Sequence, residues 1–147
     1  MEVKKCDLSC LEELALWSMQ SNVDMRQGSW WGDLEESPEL LKEERALMER
    51  YLTGEAYDVY EFLAEGVVVG HVVVERERRF PGVMLQNFFI RREYRRQGYG
   101  TQAFHALMEH LGETALDLEV FCWNKRALSF YESFGFKPIS LHMSCGT

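Results

Sequence analysis

The 147-residue chain is 46% hydrophobic and 13% aromatic, enough to build a substantial core, so one compact domain over residues 1–147 is expected. Its formal net charge of -8 argues against a nucleic-acid partner, which would ordinarily meet a basic face. Met1-Glu2-Val3-Lys4-Lys5 is not followed by an apolar run of signal-peptide type. The apolar stretches are no longer than single strands, so no membrane partner is expected either.

Glu2–Lys5 predicts a short first strand. Ser9 with Glu12 three residues on predicts a capping box opening a helix through about Met19, with Leu11, Leu14 and Trp17 on one face. Ser21–Glu36 has no clean period. Ser37-Pro38 starts a second helix bearing Leu40, Leu41, Leu47, Met48, Tyr51 and Leu52, and Gly54 suits its end. At Tyr57 the period changes. Tyr57–Ala64 and Val67–Glu75 predict strands joined by a turn at Glu65-Gly66. The charged run Glu75–Arg79 and Phe80-Pro81-Gly82 predict a turn into Val83–Ile90, which is apolar enough for a buried central strand.

Gly98–Leu111 predicts a helix ended by Gly112, and Leu116–Phe121 a strand. Asn124 caps a further helix carrying Ala127, Phe130, Tyr131 and Phe134, which Gly135 closes. Phe136–Met143 predicts a last strand. The order β-α-α-β-β-β-α-β-α-β implies an α/β fold, with a mixed sheet covered by helices on both faces. Cys6, Cys10, Cys122 and Cys145 form no CxxC pair, and His142 has no zinc-like spacing. They are expected as reduced thiols of a cytoplasmic protein that holds no metal.

The segment Arg91-Arg92-Glu93-Tyr94-Arg95-Arg96-Gln97-Gly98-Tyr99-Gly100 joins a buried strand to a helix. Its glycines admit close approach of a ligand to the backbone, and the free N–H groups of a helix start favour an anion such as a pyrophosphate. Gly-x-Gly alone is equally a tight turn. No Lys-Ser/Thr of a P-loop follows, and the third glycine and downstream acid of a dinucleotide fingerprint are missing, so nucleoside triphosphate and NAD lose ground.

Phe88 through Gly100 resembles the central strand and pyrophosphate loop of the GNAT superfamily of N-acetyltransferases. Leu118-Glu119-Val120, Asn124, Ala127 and Phe130-Tyr131-Glu132-Ser133-Phe134-Gly135-Phe136 resemble that family's second segment in order and spacing. The resemblance implies the GNAT fold and transfer of the acetyl group of acetyl-coenzyme A directly to a primary amine. An acyl-coenzyme A sensor without transfer activity is the competing reading. The acceptor is unnamed: polyamine, antibiotic, amino acid, peptide N-terminus and lysine all fit.

The resemblance also implies residue roles. Backbone groups of Phe88 and Ile90 would pair with the pantetheine arm, and backbone N–H groups across Arg95, Arg96, Gln97, Gly98, Tyr99, Gly100 and Thr101 would hold the pyrophosphate. Asn124 would contact the cofactor while capping its helix. Tyr131, which taken alone is a core residue, would protonate the departing thiolate. Glu119 would act as base, with a charge on the wetter sheet face as its alternative and His71 as second candidate. Trp30, Trp31, Asp33 and Trp123 are expected around the acceptor. The eleven residues after Phe136 allow one closing strand where the family has two, leaving the acceptor side open or completed in a homodimer.

Overall fold

Five strands in the order β1-β2-β3-β4-β5 form one mixed sheet. In the computed structural model the described residues are 1–76, 81–112 and 115–146. The elements are β1 (Glu2–Lys5), α1 (Leu11–Arg26), α2 (Pro38–Thr53), β2 (Tyr57–Ala64), β3 (Val67–Glu75), β4 (Val83–Ile90), α3 (Tyr99–Leu111), β5 (Leu116–Leu118) and α4 (Lys125–Glu132). β1 to β4 pair antiparallel, and β5 runs parallel to β4, as a crossover through α3 requires. Glu65 (φ 52) and Gly66 (φ 79) make the tight β2–β3 turn where it is expected. Of the expected charged turn before β4, residues 77–80 lie outside the described residues.

Four expectations need correction. Asp7, not Ser9, caps the start: its side chain accepts from Ser9 N at 2.9 Å, opening a 3-10 turn (Leu8–Cys10) that leads into α1. α1 then continues to Arg26 instead of stopping near Met19. Its last turns carry Asn22 and Asp24, whose side chains bond to Glu44, Arg92 and Arg95, so tertiary partners replace the missing apolar period.

At the other end, β5 stops at Leu118 and not at Phe121, where the chain leaves the sheet and the Phe121 ring stacks on Trp123 (centroids 4.6 Å apart). The closing strand over 136–143 does not form among the described residues. Ile139, Leu141 and Met143 keep its alternation but are 84%, 84% and 83% exposed, because no strand lies beside them.

The sheet separates two cores. Leu14, Trp17, Met48, Val59, Val73 and Phe89 pack under α1 and α2, while Phe62, Val72, Leu85, Ala103, Phe104 and Leu107 pack under α3. Each fully buried Leu or Phe contributes about 2 kcal/mol of apolar transfer. One register slip decides which residues reach which core. β3 and β4 pair His71 with Phe89 but Val73 with Gln86, so β4 carries one extra residue there, and Asn87 takes a left-handed φ of 52. Val83 and Leu85 before the slip, and Phe88 and Ile90 after it, thereby face the same α3 side. Gly70 is required opposite: a Cβ there would lie 2.3 Å from the Phe89 carbonyl oxygen.

Two polar groupings are buried on the α1 side. Cys6, Cys10 and Glu61 bring their Sγ and carboxylate atoms within 4.8 Å of one another, with Cys10 Sγ donating to Glu61 Oε1 at 3.7 Å, and burial pushes the Cys6 thiol up. The sequence spacing concealed this meeting, because Glu61 is distant in the chain. His71 is fully buried between the Trp17 and Phe89 rings, and neither ring nitrogen has a hydrogen-bond partner.

Burial lowers the His71 pKa to about 3. The unfolded chain protonates near 6.5 and the folded chain does not follow until about pH 3. Stability is therefore fully present above 6.5 and declines as pH falls through that window, by on the order of 5 kcal/mol. His71→Leu should raise the urea midpoint at pH 5 and flatten its fall between pH 6.5 and 4; an unchanged pH slope would contradict this account.

Candidate active site

The Arg91–Gly98 loop carries the chain from the end of β4 to the start of α3. Its first turn closes through Tyr94 N donating to Arg91 O at 2.9 Å, and the N–H of Arg95 closes the next at 3.4 Å to Arg92 O. Arg96 (φ 62) and Gly98 (φ 81) both take left-handed backbone, so the chain reverses sharply into the helix. The first intrahelical bond runs from Gln102 N to Gly98 O at 3.2 Å, leaving the N–H groups of Tyr99, Gly100 and Thr101 without helical acceptors. No side chain caps this end and no acid stands in its first turn. A Cβ on Gly98 would meet nothing within 4 Å, whereas one on Gly100 would lie 3.4 Å from Phe130 and 3.8 Å from Ile90. Gly98 leaves the helix end open and Gly100 seats it close to α4. An open, uncapped helix start with its dipole unopposed suits an anion.

The arginines divide the work. Arg95 reaches back to α1, with Nη2 2.8 Å from Asp24 and Nε 2.9 Å from Ile90 O, and its guanidinium lies 5.0 Å from the Phe89 ring centre. Arg92 shares Asp24 at 2.9 Å and adds Glu36 at 3.2 Å. These two side chains brace the loop against α1, which leaves Arg96 as the exposed cation beside Gly98. Gln97 donates to Glu93 O at 3.2 Å.

β4 and β5 pair only over Val83–Leu85 and Leu116–Leu118. Beyond that point the β5 side of β4 is unpaired among the described residues. Arg91 N donates to Val69 O at 2.8 Å and the Phe89 carbonyl abuts Gly70, so odd-numbered backbone groups turn to β3. Strand alternation then turns the N–H and C=O of Phe88 and Ile90 toward the parted β5 side. The Phe88 ring lies 6.5 Å from the Tyr131 ring, which also meets Phe130 (5.2 Å) and Phe136 (5.6 Å). Burial raises the Tyr131 pKa to about 12, so the phenol keeps its proton throughout the neutral range. Asn124 Oδ1 accepts from Ala127 N at 3.2 Å and caps α4. Glu119 is exposed just past the end of β5. Buried within the core, His71 has no route to a substrate.

On the opposite face of β4 lies a hollow of about 150 Å³ that sequence reading missed. Glu44 of α2 sits in it, almost wholly buried; Ser18 Oγ donates to Glu44 Oε2 at 2.7 Å and Asn22 Nδ2 donates to Oε1. Asn87 Nδ2 donates to Ser18 Oγ at 2.8 Å, and Asn87 Oδ1 is buried without a partner. Burial raises the Glu44 pKa, opposed by the two donors. The signal was present in the sequence: Glu44 interrupts the apolar stripe of Leu40, Leu41, Leu47 and Met48, and Gln86-Asn87 interrupts an apolar strand. A larger hollow of about 310 Å³, by Met1, Val3 and His110, lies at the far β1 edge and away from the loop.

The expected aromatics do assemble. Trp31 meets Phe121 and Trp123 at 5.5 Å each, and Trp30 meets Trp123 at 5.7 Å. Trp123 Nε1 donates to Met25 O at 2.9 Å, and Met25 also lines the Glu44 hollow. Asp33 accepts from Gly28 N at 3.1 Å.

Asp24→Ala should release both arginine braces, lowering stability by about 1 kcal/mol, or a few degrees in Tm, and speeding amide exchange at residues 92–98. Unaltered exchange there would show that Asp24 does not hold the loop.

The family model described as "Acetyltransferase (GNAT) family" matches residues 20–136. No curated protein matches the chain significantly in sequence. The fold is similar to that of a mutant of the BH1408 protein from Bacillus halodurans, with TM-score 0.79 and 19% identity over 100% of this chain and 99% of that one. It is also similar to the YycN protein of Bacillus subtilis, with TM-score 0.74 and 20% identity over 99% and 98% of the two chains. A predicted acetyltransferase from Clostridium acetobutylicum, solved with acetyl-CoA, shares the fold at TM-score 0.67 and 12% identity, covering 99% and 95%. The uncapped α3 start, the parted strands and the family match over most of the sequence agree: this chain belongs to the GNAT acetyltransferase family.

Proposed function

We propose that this protein transfers an acetyl group from acetyl-coenzyme A directly to a primary amine, with no acetylated side chain in between. The observation that carries the reading is the parting of β4 from β5 beside an open, uncapped helix start. An acyl-coenzyme A is a long ligand with a diphosphate at one end and a strand-like amide arm at the other, and this chain offers both complements in line. The N–H groups of Gly98, Tyr99, Gly100 and Thr101 hold the diphosphate, with Arg96 adding charge. Phe88 and Ile90 pair with the amide arm, and Asn124 borders it. When bound, the cosubstrate supplies a thioester whose C–S bond breaks as the C–N bond forms.

Tyr131 gives its proton to the leaving sulfur, a task suited to a phenol that burial keeps protonated. Glu119, exposed to water, takes the proton lost by the acceptor amine directly or through a water. Trp30, Trp31 and Trp123 border the acceptor's approach with ring faces that suit a cation. Completion of the acceptor side by a second copy stays part of this proposal, as the alternative to an open acceptor side.

Calorimetry should show acetyl-coenzyme A binding that Gly98→Trp abolishes. Tyr131→Phe should lower turnover by about 10²-fold while leaving cosubstrate affinity within a factor of two. Failure of the wild type to bind acetyl-coenzyme A would overturn the assignment. Unchanged turnover in Tyr131→Phe would remove only the acid. Binding without coenzyme A release from any amine would favour a sensor.

A further inference from the structure

We infer that the Glu44 hollow is a cation site for the acceptor, and that the acceptor is a short aliphatic diamine. This rests on the transfer reading above. Glu44 is buried, yet both its oxygens accept hydrogen bonds, the arrangement of an ionised carboxylate. Among the described residues no Lys or Arg bridges it, in contrast to Asp24 and Asp58, each of which holds two cations. A buried carboxylate without a cation is costly and suits a ligand that brings one. Asn87 Oδ1, buried and without a donor, supplies a second acceptor at the same hollow. Leu47, Met25 and the Tyr51 ring supply apolar and aromatic walls for a methylene chain.

Position links the hollow to the transfer centre. Asn87 is the slipped residue of β4 and immediately precedes Phe88, whose ring meets Tyr131. β4 loses its β5 partner at Gln86, which also lines the hollow. The hollow is thus lined by β4 where that strand parts from β5, and Met25, which also lines it, accepts from Trp123 Nε1.

The chemistry then selects between one amine and two. A nitrogen held against a carboxylate is favoured as ammonium, whereas the attacking nitrogen must be unprotonated. Glu44 therefore suits a second, non-reacting ammonium at the far end of the acceptor. A hollow of about 150 Å³ takes one ammonium and a few methylenes, not a bulky ring system.

The test compares 1,3-diaminopropane, 1,4-diaminobutane and 1,5-diaminopentane with butylamine on the full chain. In the wild type at least one diamine should exceed butylamine in kcat/KM by about 30-fold, as a charge-assisted bond would give. Glu44→Gln, of the same shape, should bring that ratio near one through KM, with acetyl-coenzyme A affinity kept within twofold. A ratio near one in the wild type, or one unchanged in the variant, would overturn the proposal; loss of kcat toward both amines alike would make Glu44 the base instead. Calorimetry of diamine binding to the wild type supplies a readout independent of the variant's folding, and absence of binding where acetyl-coenzyme A binds overturns this site alone. Absence of acetyl-coenzyme A binding would instead overturn the transfer reading.

Discussion

Asn87 is where β4 changes register, and the arrangement on both faces of the sheet follows from that single inserted residue. Without the slip, strand alternation would drive Phe88 and Ile90 into the α1/α2 core and push Phe89 out of it. A left-handed φ at a residue other than glycine costs on the order of 1 kcal/mol, and Asn is among the residues that bear it best. Two neighbours hold the strand there. Ser18 accepts from the Asn87 amide and donates its own hydroxyl to Glu44, while Gly70 lets the Phe89 carbonyl come close. Residues from α1, α2 and β3 thus fix one dihedral of β4.

The same strand divides two electrostatic environments. At its end, backbone dipoles and Arg96 favour negative charge. Across its middle, Glu44 and Asn87 Oδ1 present only acceptors. Asp24 pairs with both Arg92 and Arg95, and Glu36 adds a second carboxylate to Arg92. A net charge of -8 does not remove the local preference for negative charge, because the uncapped N–H groups at the α3 start act at short range.

Much of this was legible in the amino-acid sequence, for identifiable reasons. Strands β2 and β3 and helix α2 carry their bounds in local chemistry: a Glu-Gly turn, a Ser-Pro start and a change from helical to strand period. The Gly98–Gly100 loop and the Phe130–Phe136 segment were readable because what they share with the family lies in contiguous residues. What stayed hidden depends on partners distant in the chain. Asn22 and Asp24 extend α1 only because Glu44, Arg92 and Arg95 meet them. Gln86-Asn87 and Glu44 do break their apolar patterns, but the slip at Asn87 and the closure of Ser18 and Asn22 over Glu44 depend on those distant partners. The closing strand failed for the converse reason. Ile139, Leu141 and Met143 have strand periodicity, but periodicity supplies no neighbour.

That last segment bears on how the molecule behaves in company. Strand β5 has three residues and ends the sheet, while the tail beyond α4 presents alternate apolar side chains to water. A terminal strand and a strand-patterned tail are both surfaces on which a strand of another chain can pair.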